Sequence, residues 1–362
     1  MIKVGSSSVT TATGDTNSAL LDSLCSEIAS QHSQGNAVVV VTSGAIAAGW
    51  TALGLKCRRP GDITVLQALS AVGQHRLMRS WQDSLAPHGL LAGQVLLAPL
   101  DFAHRQQYLQ ARGTLYHLLD FGVVPIINEN DAVADEEIRF GDNDLLAALV
   151  AHLVHAELLV LLTDMPGLLT GDPRFVKEAS LIEEVVEIDR QLELVAGGSG
   201  TSVGSGGMES KVAAAKIATW SGIETVIADA ARPGVIGSVI SREAGVGTVF
   251  RARSLSSKLG ARKLWIAFAL RSSGKLTVDE GARRALLERG GSLLPAGVVE
   301  ISGQFNPDDA VEIVDLEGKV FAKGLVQLPS DRFAEWIGKR SSNLADDLAR
   351  FAVHRDDMVI LH

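Results

Sequence analysis

The chain has 362 residues, 46% of them hydrophobic and 21% charged, which fits a folded protein of two or three domains and excludes a disordered one. Its net charge of −9, from 33 Lys and Arg against 42 Asp and Glu, gives no basis for nonspecific nucleic-acid binding, which needs a basic surface. Two cysteines, Cys25 and Cys57, cannot build a disulfide framework or a CxxC zinc site, and no basic segment precedes an apolar stretch at the N-terminus, so a reducing, cytoplasmic setting is expected.

In chain order, the first signal is Lys3-Val4-Gly5-Ser6-Ser7. A lysine on a strand, followed by Gly and small hydroxyl residues, places an ammonium beside backbone N–H groups, an arrangement that suits a polyphosphate. An amphipathic segment, Ala19–Ser30, leads to the continuous apolar run Ala37–Thr42. At its exit stands Thr42-Ser43-Gly44-Ala45-Ile46-Ala47-Ala48-Gly49. These glycines allow a ligand to approach the backbone at a helix start, although tight strand–helix packing also explains them. Two further amphipathic segments follow, Leu66–Leu85 and Leu109–Leu119, then the run Val123–Asn128.

Ile127-Asn128-Glu129-Asn130-Asp131 directly follows that strand, where open α/β sheets bind ligands. Asn can bind either end of an amino acid, and Asp can hold an α-ammonium or orient a lysine. Gly141-Asp142-Asn143-Asp144 is equally polar, with turn chemistry as the alternative. Leu145–Leu162 is long and apolar enough to suggest a membrane span, but His152, His155 and Glu157 interrupt it, so a buried helix followed by the strand Leu158–Thr163 is expected. Thr163 and Asp164 close that strand and could meet a ribose or an adenine edge. A Gly- and Ser-rich stretch, Gly197–Lys211, ends in a lysine at the start of the helical segment Lys211–Ser221, again suggesting phosphate. It lacks the GxxxxGK[ST] pattern of a Walker A loop.

With Glu224–Ala228, the continuous runs argue for a parallel sheet buried on both faces. The expected architecture is a three-layer α/β/α sandwich with a mainly parallel sheet. After Gly245 the texture changes: 251–263 is polar and basic, and short strand-like runs follow at Leu276–Val278, Val298–Ile301, Ala310–Val314 and Val320–Val326. That spacing implies a small β-rich second domain.

Together these strings resemble the amino-acid kinase family: Lys3–Ser7, Val41–Gly49, Leu69-Ser70-Ala71-Val72-Gly73-Gln74, Ile127–Val133, Gly141–Asp144, Leu161–Asp164 and Gly206–Lys211. The tail strings Val278–Ala282, Ser292–Val298 and Val353–Met358 resemble a PUA domain. The resemblance divides the chain into a kinase domain at 1–252, a linker at 253–268 and a PUA domain at 269–362. It implies ATP-dependent phosphorylation of the γ-carboxylate of L-glutamate, the first step toward proline, with proline as feedback inhibitor. Lys3 and Lys211 would stabilise the transferring phosphoryl group, and Asp144 would hold the two lysines in place. Ser43, Asp131 and Asn143 would bind glutamate. Thr163, Asp164 and the loop Ser205, Gly206, Gly207, Met208, Glu209, Ser210 and Lys211 would contact ATP, with Gly5 and Gly44 giving N–H groups to its phosphates. Mg²⁺ would be held mainly through ATP oxygens and water, without a dedicated metal site. A homo-oligomer, dimer or tetramer, and no membrane association are expected. The alternatives are a kinase for another small acid, such as aspartate, acetylglutamate or carbamate, and an RNA-binding protein acting through the PUA domain. The near-neutral tail from Arg262 to His362, with 14 Lys and Arg against 15 Asp and Glu, offers little support for RNA. The PUA domain also reads as an assembly or regulatory module.

Overall fold

The computed structural model describes residues 1–11, 13–55, 62–102, 104–133, 143–172, 176, 178–197, 207–253, 259–270, 272–334, 337 and 351–361. They fall into two compact units, Met1–Lys258 and Leu259–His362.

The first unit alternates strands and helices: β1 (Ile2–Val4), α1 (Ser6–Val9), α2 (Ser18–Ser33), β2 (Val40–Val41), α3 (Ala45–Ala52), α4 (Ile63–Leu85), β3 (Ala92–Leu97), α5 (Arg105–Asp120), β4 (Val124–Glu129), α6 (Asn143–Leu153), β5 (Leu158–Thr163), β6 (Glu184–Val185), α7 (Arg190–Gly197), α8 (Met208–Trp220), β7 (Glu224–Asp229), α9 (Val235–Ile240) and β8 (Gly247–Phe250). Among the described residues, eight strands form one sheet in the order β3-β4-β2-β1-β5-β7-β8-β6. Every pairing is parallel except β7 with β8.

The period of two sorts the central strands. Ile2, Val4, Val40, Val160 and Leu162 join the core shared with α2, α4 and α9. Lys3 alternates with them and therefore points to the opposite face, where α6 packs on β1 and β5. The apolar stretch that resembles a membrane span is α6 followed by β5, both almost wholly buried. Among the described residues no helix is long and apolar enough to cross a membrane.

The run expected at Ala37–Thr42 contributes only Val40–Val41 as a strand, although Ile2 N–H bonds Val39 O and Thr42 N–H bonds Ile127 O beyond its ends. β3 and β8 carry no continuous apolar run: β3 is a partly exposed edge strand, and β8 is four residues long.

The second unit opens with α10 (Ala261–Leu264), which lies inside the polar segment grouped with the linker. Leu264, Trp265, Ile266 and Ala267 are buried, so this stretch belongs to a core rather than to a linker. Next come β9 (Ser272–Val278), α11 (Glu280–Arg289), β10 (Val298–Gly303), β11 (Ala310–Val314), β12 (Val320–Val326) and β13 (Val353–Ile360). The sheet order is β10-β9-β11-β12-β13, antiparallel except for β9 with β11. Its core includes Leu286, Phe305, Phe321 and Phe333. Lys323 on β12 is buried and donates to the carbonyls of Ala267 and Leu270. Burial pushes its ammonium down to about 8.

Candidate active site

Four strand exits meet along one edge of the first sheet. β1 delivers Lys3 and turns at Gly5 into α1. Lys3 is in register with Val41 and Leu161, so it is flanked by the strands that lead to Ser43 and Thr163. β2 leads through Thr42 and Ser43 and enters α3 at Gly44. Gly44 has φ 105°, and a Cβ there would press on Thr10, so only glycine makes this corner without strain. β4 runs out at Glu129 toward Asp131, and β5 ends at Thr163.

Two helices aim into this edge. α6 begins with Asn143 and Asp144, and α8, which packs against it, carries Lys211 in its first turn. The result is a buried charge cluster. Lys3 Nζ lies 2.6 Å from Asp144 Oδ1, and Lys211 Nζ lies 3.1 Å from Asp144 Oδ2. Ser210 donates to the same Oδ2 at 2.7 Å. Lys3 is 4% exposed, Lys211 3% and Asp144 1%. Burial alone would drive the Asp144 carboxyl upward, but the two ammonium groups and the Ser210 hydroxyl outweigh it and hold it below the usual carboxylate range. Burial lowers the Lys211 ammonium, and Asp144 only partly opposes that shift. Two cations gathered on one carboxylate make a buried concentration of positive charge of the kind that suits an anion.

Beside it, Asn143 Nδ2 donates to Ser43 Oγ at 3.0 Å, and both residues are buried. Asn143 Oδ1 is buried without a partner among the described residues, which leaves an acceptor for an incoming group. Asp131 is also buried and accepts a hydrogen bond from Ser70 Oγ. Desolvation raises its carboxyl. Thr163 donates to Asp164 at 3.0 Å, and Asp164 is exposed at the rim, near enough to support the charge on Lys211.

The structure thus brings Lys3, Lys211, Asp144, Ser210, Asn143 and Ser43 together, with Thr163, Asp164 and Asp131 at neighbouring exits. Gly207 caps α8, followed by Met208 and Glu209 in its first turn. Ser205 and Gly206 lie outside the described residues, as do Gly141 and Asp142. One expected contact is already used within the fold: the Gly5 N–H donates to Leu162 O at 3.2 Å. Sequence reasoning gave no individual role to Ser70 or Gln74, and offered the asparagines around Asn128 only as groups able to bind an amino acid. Gln74 Oε1 accepts from Asn128 Nδ2 at 2.8 Å, and both are buried. The signal was a polar pair four residues apart within an otherwise apolar helix stripe. A cavity of about 450 Å³ elsewhere, lined by Thr16, Thr51, Arg76, Arg79, Ser80 and Asp83 among others, contains none of the residues above.

Residues 1–229 match the model of the amino acid kinase family, and residues 274–348 match that of the PUA domain. A glutamate 5-kinase of Pelobacter propionicus is 44% identical over 100% of this chain and 97% of its own length. The glutamate 5-kinase of Syntrophotalea carbinolica is 45% identical over 94% and 91%, and that of Haemophilus influenzae 44% over 100% and 98%. Among solved structures, an isopentenyl phosphate kinase of T. acidophilum aligns at 19% identity and a TM-score of 0.47, covering 69% of this chain and 98% of its own. With a mainly parallel sheet whose strand exits converge on one charged corner, with the family model matching residues 1–229, and with relatives 44% identical over the whole chain, the chain belongs to the amino acid kinase family and carries a PUA domain C-terminal to the kinase unit in sequence.

Proposed function

We propose that the protein transfers the γ-phosphoryl group of ATP to the γ-carboxylate of L-glutamate, giving L-glutamyl 5-phosphate and ADP. The observation that carries this reading is the pair of buried lysines, 208 residues apart in sequence, held on the two oxygens of Asp144. A carboxylate is already a nucleophile at neutral pH, since its ordinary pKa is about 4.3, so the reaction requires no general base. A γ-carboxylate oxygen attacks the γ-phosphorus, the bond from phosphorus to the bridging oxygen breaks, and the electron pair leaves with ADP. The barrier is repulsion between anions and the spread of charge over the phosphoryl oxygens. Lys3 and Lys211 supply cations where that charge develops, and Asp144 fixes them before the reaction so that little reorganisation is needed.

Ser43, Asn143 and Asp131 are the groups suited to glutamate: a hydroxyl and an amide for a carboxylate, and a carboxylate for the α-ammonium. Thr163, Asp164, the Gly44 corner and the start of α8 from Gly207 to Lys211 are suited to the nucleotide. Mg²⁺ carried on ATP would neutralise phosphate charge. That ion would be held mainly through phosphate oxygens and water. The product would be the activated acid that opens proline synthesis, with proline as its feedback inhibitor.

An ATP-dependent hydroxamate assay with glutamate, aspartate and N-acetylglutamate, each with and without proline, tests the reading. Turnover with glutamate alone, suppressed by proline, is expected. Comparable turnover with aspartate or N-acetylglutamate would reject the assigned acceptor, and proline-insensitive turnover would reject the regulatory part alone.

A further inference from the structure

α4 carries a buried polar stripe to which none of the roles above assigns a task. Ser70, Gln74 and Trp81 recur on one side of the helix and each reaches a strand exit. Ser70 Oγ donates to Asp131 Oδ2, Gln74 Oε1 accepts from Asn128 Nδ2 at 2.8 Å, and Trp81 Nε1 donates to Thr42 Oγ1 at 2.9 Å. Descending positions on α4, Gln74 then Ser70, meet ascending positions at the end of β4 and just beyond it, Asn128 then Asp131. Its placement is fixed from the other side too: a Cβ on Gly73 would overlap the carbonyl oxygen of Ala45, so α4 sits directly on the first turn of α3. That turn begins at Gly44, next to Ser43.

Asp131 is the carboxylate that Ser70 reaches, and it is 6% exposed. An unsupported carboxylate in such a place swings between rotamers and takes up a proton. Ser70 opposes both: its hydrogen bond occupies Oδ2 and favours the ionised form. Oδ1 receives no hydrogen bond from the described residues, and with Oδ2 anchored it points in one direction. We infer that Ser70 is a positioning residue for amino-group recognition, holding Asp131 so that its second oxygen meets the substrate's α-ammonium and so that the site selects an α-amino acid over a plain dicarboxylic acid of the same length. This rests on Asp131 being the ammonium's partner, as proposed above.

The test compares the KM for L-glutamate with the inhibition constant of glutarate, which has the same chain without the amino group, in the full-length enzyme. The variants are Ser70→Ala, Ser70→Thr, Ser70→Cys and Asp131→Asn. Loss of a hydrogen bond to a charged group should raise the glutamate KM about tenfold or more in Ser70→Ala. Its kcat should stay within about twofold and its glutarate inhibition constant should not move. Ser70→Thr keeps the hydroxyl and should restore the KM. Ser70→Cys fills the same space with a weak donor, should fall between the two, and serves where the alanine variant folds poorly. A glutamate KM unchanged in Ser70→Ala but raised in Asp131→Asn would overturn the positioning role and leave the site reading intact. An unchanged KM in Asp131→Asn would instead remove Asp131 from substrate binding. Equal weakening of glutamate and glutarate would mark a general packing defect and would also overturn the inference.

Discussion

Replacing Asp144 with asparagine tests the charge cluster most directly, because it changes charge and almost nothing else. The amide keeps the shape, and its oxygen still accepts from Ser210, but both lysines lose their shared anion. At about 3 Å and an effective dielectric constant near 20, each ion pair attracts by about 5–6 kcal/mol before desolvation. Burying three charged groups offsets much of that attraction, and removing one partner from such a site typically costs about 3–5 kcal/mol because the remaining charges stay buried. For a unit of this size that corresponds to a fall in Tm of roughly 6–20 °C. Thermal unfolding followed by circular dichroism reads it. Because the folded-state pKa of Asp144 is depressed, its contribution is complete above the ordinary aspartate value and is lost as pH falls through the depressed one. The gap between wild type and Asp144→Asn should therefore be full at pH 7 and shrink below about pH 4. A non-hydrolysable ATP analogue supplies the missing anion, so it should raise the Tm of the variant more than that of the wild type. Superimposable melting curves at pH 7 would refute the reasoning, as would equal rescue of both proteins by the analogue.

On the proposed role, in which its ammonium acts on charge that develops in the transition state, Lys211→Ala should lower kcat by orders of magnitude with little change in the glutamate KM; steady-state kinetics distinguish this from a binding defect. Since burial lowers the Lys211 pKa, wild-type kcat should decline on the alkaline side at a lower pH than an exposed lysine near 10.4 would give, and a plateau persisting beyond that value would contradict it. Ser43→Ala and Asn143→Ala should do the reverse of Lys211→Ala, raising the glutamate KM roughly tenfold with a smaller loss in kcat. Gly73→Ala should cost about 3 kcal/mol or more, visible as a lowered urea midpoint, because its methyl group would overlap the Ala45 carbonyl and force α3 and α4 apart.

Much of the kinase unit was legible in the sequence because a parallel strand buried on both faces leaves an uninterrupted apolar run. Leu158–Thr163 is the clearest case: the run and the strand share both ends. The candidate site was legible for a related reason, since polar strings placed at the ends of such runs fall on one edge of the sheet. What local pattern cannot give is distance. Nothing in the strings around Lys3 and Lys211 fixes their approach to one carboxylate; that depends on α6 and α8 packing side by side. β3 and β13 escaped because they are not uniformly apolar: β3 is a partly exposed edge, and β13 carries His354, Arg355, Asp356 and Asp357 in its middle. Ser70 and Gln74 escaped because a polar residue in an amphipathic helix ordinarily faces water, whereas here each finds a polar partner in the interior. The polar stretch before the second unit concealed Leu264–Ala267, whose apolar character is confined to a few residues.

The crossing of α3 and α4 at Gly49 and Gly73 is a meeting of main chains, with no side chain between them to trim or extend. The spacing from the Ser43 corner to the Asp131 anchor is therefore set like the jaws of a fixed gauge. Ordinary point substitutions at the crossing can only jam it. With Ser43 and Asp131 gripping the acceptor as proposed, a shorter or longer acid would require the intervening segments to be rebuilt, and acceptor length should be among the least adaptable traits of this enzyme.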